Sequence, residues 1–142
     1  MQNPYRNFYG VVKYGKGCKF GAFVDIGNTV FGENCQIQSF VSIPRGWTFG
    51  DRVFIGPGVR FCNDKHPHVG KDWKSEGGVV GNDVAIGAGA IILPGVNLGE
   101  GCNIGAVRDS VNRCVCVDSV FHFSTPYLSI QRVVAKLPLC VC

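Results

Sequence analysis

The sequence is poor in charge and almost without methionine. Asp, Glu, Lys and Arg make up 17% of its 142 residues, and Met1 is the lone methionine. No run of Lys or Arg exists, and the net charge is only +4, so a nucleic-acid-binding stripe is not expected. No stretch of eighteen apolar residues exists, so no membrane-spanning helix is expected. The opening Met1-Gln2-Asn3-Pro4 lacks an apolar segment, so no signal peptide is expected and the cytoplasm is the expected compartment. The seven prolines follow no Gly-X-Y period, which excludes collagen. Extended disorder is excluded by the 46% apolar content, which gives the chain enough surface to bury against its ordering entropy. The length suits one domain and leaves no room for a dinucleotide-binding domain beside a second one.

Glycine is abundant, at 20 residues, and so is cysteine, at eight. Cys18, Cys35 and Cys102 fall on small inward positions of the repeat described next and are expected as reduced, packed thiols. Cys114-Val-Cys116 and Cys140-Val-Cys142 are spaced more tightly than structural zinc pairs usually are.

The organising signal is a period of six. Phe31, Ile37, Ile43, Phe49, Ile55 and Phe61 form one ladder, and Ile26, Phe20, Tyr14 and Phe8 extend it backward. The step from Ile26 to Phe31 is one residue short. Val80, Ile86, Ile92, Leu98 and Ile104 form a second ladder, making fifteen apolar or aromatic rungs. Gly follows the rung at ten of the fifteen, and a small apolar residue lies four after it at twelve, Val30 among them. Trp47 breaks that small position and is expected to face a subunit neighbour or to widen its coil. A six-residue period matches neither an α-helix nor simple strand alternation. It fits a solenoid in which three hexads close one triangular coil, large rungs fill the interior, and glycines supply turn dihedrals. The expected fold is therefore all-β.

Three segments carry a resemblance: Ile55-Gly-Pro-Gly-Val, Ile86-Gly-Ala-Gly-Ala-Ile-Ile-Leu-Pro-Gly-Val and Leu98-Gly-Glu-Gly-Cys-Asn-Ile-Gly-Ala. They resemble the hexapeptide-repeat acyltransferases over roughly residues 8–109. The resemblance implies a left-handed parallel β-helix, a homotrimer, and acetyl-coenzyme A held between neighbouring subunits. It divides the chain into a β-helix domain, 1–109, and a divergent segment, 110–142. Ala88 and Ala106 match the family's alanine contacts to the coenzyme, and Lys136 matches a contact near its adenine end. The tail departs from the family pattern: Arg132-Val133-Val134 stands where Gly-Asn-Pro is usual.

Between the ladders, about residues 62–79, lies a polar excursion with no hexad phase. Such departures from a regular scaffold tend to carry function. Asn63-Asp64-Lys65-His66-Pro67 resembles a loop of the family branch that acetylates the amine of a nucleotide-linked (UDP or dTDP) amino sugar. His68 stands where that branch has Arg. His66-Pro67 also resembles the branch that acetylates sugar hydroxyls. An attacking amine must lose a proton, and histidine, which titrates near neutrality, is the commonest base for that step. His66 is thus the candidate base. Asp64 would orient it, take the ammonium proton, or cap a turn. Asn63 would bind the acceptor or occupy a left-handed turn. Backbone N–H groups of a Gly-rich coil suit an oxyanion. Trp73 would stack on a base or anchor the loop.

No metal is expected. The zinc carbonic anhydrases of this fold need three histidine ligands, and here His66 and His68 lie two apart while His122 is far downstream. The leading expectation is a nucleotide-sugar N-acetyltransferase. The alternatives are a sugar O-acetyltransferase or a non-catalytic β-solenoid scaffold. An ice-binding surface would want a threonine array, and only Thr29, Thr48 and Thr125 are present.

Overall fold

A computed structural model describes residues 5–70 and 72–107, with the backbone of 109–110. Lys136, His122, Trp73's neighbour Lys71 and both Cys-x-Cys pairs lie outside the described residues. Among the described residues sixteen short strands follow one another: β1 (Arg6–Phe8), β2 (Val12–Tyr14), β3 (Lys19–Phe20), β4 (Val24–Ile26), β5 (Thr29–Phe31), β6 (Gln36–Ile37), β7 (Ser42–Ile43) and β8 (Trp47–Phe49) in the first half. The second half holds β9 (Phe54–Ile55), β10 (Arg60–Phe61), β11 (Gly78–Val80), β12 (Ala85–Ile86), β13 (Ile91–Ile92), β14 (Asn97–Leu98), β15 (Asn103–Ile104) and β16 (Asp109–Ser110).

Every third strand joins the same sheet. Sheet one is β1-β4-β7-β10-β13-β16, sheet two is β2-β5-β8-β11-β14, and sheet three is β3-β6-β9-β12-β15. Each strand runs parallel to its neighbours in the coils above and below. This is the expected parallel β-solenoid, one coil to three hexads. Its register counts the coils: Thr29 pairs with Trp47, eighteen residues on. Pairs that span the short step are seventeen apart, as Val12 with Thr29. Pairs that span the excursion are thirty-one apart, as Arg60 with Ile91. The excursion is therefore an insertion of thirteen residues, and the coil resumes in phase behind it.

Thirteen of the fifteen rungs, Phe20 to Ile104, are buried. Each buried aliphatic rung contributes about 1.5–3 kcal/mol relative to exposure. Phe8 is half-buried and Tyr14 exposed; their strands β1 and β2 are the outermost of their sheets among the described residues. The lower core is an aromatic spine: Phe20, Phe31, Phe49 and Phe61 meet at centroid distances of 5.5, 4.7 and 5.2 Å. Above the excursion the core is aliphatic.

Four expectations change. Val30 faces solvent and Thr29 is buried in its stead, because the short step shifts the strand by one residue. The Thr29 hydroxyl then has no hydrogen-bond partner among the described residues. Trp47 does not face a subunit neighbour; it points into the coil, is 1% exposed and packs edge-on to Phe61 at 4.8 Å. Thr29 below it and Gly78 above it leave the indole its room, and a Cβ on Gly78 would sit 2.6 Å from the ring. Cys18 and Cys35 are free thiols, whereas Cys102 is disulfide-bonded. The repeat dictates where its sulfur sits, not what that sulfur is bonded to.

The glycines after the rungs do not supply turn dihedrals. They permit close stacking: a Cβ on Gly87 would lie 2.5 Å from the Ala106 nitrogen, and one on Gly56 2.7 Å from the Ala88 nitrogen. The left-handed residue comes three after the rung, as at Gly58 and Gly89, but also at Phe23 and Phe40, with φ of 57° and 63°. An L side chain there costs about 1–2 kcal/mol. These two rings recover part of it by stacking at 5.1 Å.

Candidate active site

The excursion leaves sheet one after Phe61 and rejoins sheet two at Gly78, so it projects from the corner between these sheets. A narrow neck closes it. The Glu76 N–H donates to the Asn63 carbonyl at 2.9 Å, and the Asn63 amide donates to the Ser75 hydroxyl at 3.1 Å. Ser75 in turn donates to the Arg45 carbonyl, 3.4 Å away in the coil beneath. From inside the coil, the Trp47 indole N–H donates to the Cys62 carbonyl at 3.2 Å. From above, the Gly95 N–H donates to the Gly77 carbonyl at 2.8 Å. The root is thus tied to the coil beneath and to the coil above.

Beyond the neck the chain is exposed. Asp64 accepts the His66 backbone N–H at 2.9 Å, a tight turn that presents the next side chain outward. That carboxylate oxygen serves the backbone, not the imidazole. The His66 ring is exposed and has no hydrogen bond among the described residues. His68 Nδ1 lies 2.9 Å from the His66 carbonyl. A carbonyl only accepts, so Nδ1 carries the proton there. Asn63 spends its amide on the neck and is not in the left-handed region. Trp73, 38% exposed, lies beside the Arg45 guanidinium, whose carbon is 5.9 Å from the ring centroid. Lower on the same corner, burial raises the Tyr9 phenol above its ordinary pKa, Asp25 adds to the rise, and Arg45 opposes it.

Ala88 and Ala106 sit elsewhere. They occupy successive coils on the corner between sheets three and one, both exposed, with the Val107 N–H donating to the Ala88 carbonyl at 2.8 Å. Sheet one therefore separates this corner from the excursion within one chain.

No family model matches the chain. A Schizosaccharomyces pombe protein described as an acetyltransferase is 38% identical over 93 residues, covering 61% of this chain and 43% of that protein. The bifunctional protein GlmU of Gloeothece citriformis is 33% identical over 121 residues, covering 82% of this chain and 24% of that protein. The chain thus spans less than half the length of these relatives. A mutant of AntD, an N-acyltransferase from Bacillus cereus solved with dTDP and coenzyme A, superposes with a TM-score of 0.69 at 21% identity, covering 78% of this chain and 68% of that one. With the hexad ladder, these likenesses bear out the resemblance to the hexapeptide-repeat acyltransferases: the fold is shared with AntD, and the sequence is similar to that of a described acetyltransferase and of GlmU over part of their length.

Within this hexapeptide-repeat chain, the residues that sequence reasoning passed over are Arg45, Ser75 and Glu76, which hold the excursion or flank it. A signal was available. Arg45 lies eighteen residues before Asn63, and Gly95 eighteen after Gly77. Adding one coil length to the loop root points to both neighbours.

Proposed function

We propose that the chain transfers the acetyl group of acetyl-coenzyme A to the amine of a nucleotide-linked amino sugar, with His66 as the general base. The observation that carries this reading is the tethered excursion: thirteen inserted residues that hold an exposed imidazole, free of other hydrogen bonds among the described residues, on a rooted turn. Ala88 and Ala106 suit the coenzyme's pantetheine arm, because both are exposed and carry only a methyl side chain. The excursion and that corner flank opposite edges of sheet one, so a complete site brings the excursion of one copy to the alanine corner of the next. This agrees with the homotrimer that the family resemblance implies.

His66 accepts the proton that the amine loses as it attacks the thioester carbonyl. The carbon–sulfur bond then breaks, the sulfur leaves as thiol or thiolate, and the acetyl group remains as an amide. Direct transfer of this kind needs no protein nucleophile. Asp64 contributes by holding the turn, and Asn63 by holding the neck.

The test is turnover of acetyl-coenzyme A with a panel of UDP- and dTDP-amino sugars and hydroxyl acceptors, with products confirmed by mass because the protein's own thiols react with thiol reagents. His66→Ala is expected to lower kcat about 10²–10⁴-fold with the fold intact. Undiminished turnover in that variant removes His66 as base. No turnover with any acceptor favours the scaffold alternative.

A further inference from the structure

The corner that carries the excursion also carries an aromatic and cationic strip that the proposed chemistry does not use. Tyr9, Arg45 and Trp73 follow one another up this corner, from the first coil to the returning limb of the excursion, and all three are exposed. Arg45 is held from both sides. Its carbonyl accepts from Ser75, and its guanidinium lies over the Trp73 ring at 5.9 Å, within the range of a cation–π contact. Among the described residues it has no carboxylate partner, whereas Arg52 is paired with Asp83 at 2.6 Å. Asp25, the acid that shares Tyr9's surroundings with Arg45, is engaged by the Asn7 amide at 2.5 Å.

The arrangement leaves a guanidinium with no hydrogen bond among the described residues beside Trp73, a residue that stays 38% exposed even with Arg45 over its ring. A planar fork of N–H donors matches phosphate oxygens, and an exposed indole matches a planar base. The excursion itself has His68 where the resembling branch has Arg, so a cation reaching up from the coil beneath would fill the same chemical need.

We propose that Arg45 and Trp73 bind a ligand that joins a planar base to a diphosphate, Trp73 stacking on the base and Arg45 bonding the phosphates. This rests on the nucleotide-sugar reading above and deepens it. Both the acceptor's nucleotide and the coenzyme's adenine end have this chemistry, so the experiment must separate them.

Trp73 supplies the probe. Trp47, the other tryptophan, is buried at 1% exposure, so emission that acrylamide quenches reports on Trp73. UDP, dTDP and coenzyme A are titrated separately into the whole protein. The expected result is a saturable change in that emission, with Arg45→Gln raising Kd ten-fold or more and Arg45→Lys, which keeps the charge but not the fork, falling between. Saturation by UDP or dTDP assigns the strip to the acceptor, and saturation by coenzyme A alone assigns it to the donor. In turnover, Arg45→Gln raises KM for the substrate so assigned and leaves kcat nearly unchanged, the mark of a binding contact. Trp73→Leu raises the same KM, a readout independent of fluorescence. The proposal is overturned if none of the three ligands alters the emission at millimolar concentration, or if Arg45→Gln binds like the parent. Turnover that survives with unchanged KM in Arg45→Gln removes this site and leaves the acyltransferase reading standing. Arg45-dependent nucleotide binding without turnover removes the acyltransferase reading and leaves the site.

Discussion

The coils and the excursion solve opposite problems with neighbouring residues. In the coils each side chain has a place imposed by the one a coil away: Ile37 lies over Phe20, seventeen residues before it, and under Ile55, eighteen after it, all buried. In the excursion no six-residue period runs, and 65–70 are all exposed. What order it has comes from its root, where Asn63, Ser75, Glu76 and Gly77 bond to one another or to adjacent coils. The comparison teaches that rigidity here is borrowed. A packed stack supplies fixed anchor points, and a short polar insertion uses a few hydrogen bonds to present an imidazole from them.

Trp47 belongs to both regions, since it fills the core and bonds the excursion's first carbonyl. Trp47→Ala is expected to lower stability by about 3–5 kcal/mol, the usual cost of a buried aromatic truncation. Chemical denaturation measures this, and a smaller loss would mean that the core collapses around the vacancy. Thr29→Val tests the coils alone. It removes a buried hydroxyl that has no partner among the described residues while keeping the shape, so it is expected to stabilise by about 1–2 kcal/mol. An unchanged melting temperature would show that the hydroxyl is hydrated.

Ser75→Ala tests the neck alone. It removes the bridge between Asn63 and Arg45, worth about 0.5–1.5 kcal/mol. Faster proteolysis within 64–74 is expected, with the thermal midpoint almost unmoved. If the midpoint falls instead, coils and excursion unfold together and the contrast drawn between them fails.

The last effect is confined to alkaline pH and lies deep in the coils. Burial first, partly offset by a backbone hydrogen bond, pushes the Cys35 thiol up to about 11 from 9.0, and Cys18 beside it adds to the rise. The unfolded chain therefore ionises this thiol before the folded one does. Stability from this source is complete below pH 9 and lost as pH rises through 11. Cys35→Ala is expected to flatten the alkaline limb of a stability–pH curve, and Cys35 to resist alkylation in the native protein at pH 8.

Most of the coil architecture was legible because one physical demand recurs: a large rung every six residues, buried thirteen times of fifteen. Where legibility failed, local spacing was ambiguous. The missing residue between Ile26 and Phe31 leaves either Thr29 or Val30 to face inward, and pairing with Trp47 decides for Thr29. Trp47 looked too large for its position because the compensating Gly78 lies thirty-one residues away, across the excursion. Of the candidate site, the location of the excursion and its histidine were readable as a break in phase. The neck was not, because Ser75 and Arg45 meet only when coils stack.

By itself, the sequence determined the solenoid, its three hexads per coil, the place of the insertion and the residue types it exposes. These follow from periodicity, which is a local property of a chain that must bury one face of every short strand. The tertiary structure alone decided which residue faces inward at the short step, what roots the excursion, and which side chains share its corner. It also placed Ala88 and Ala106 across sheet one from His66. Those relations join residues a coil or more apart, and they exist only once each coil has a neighbour to lie against.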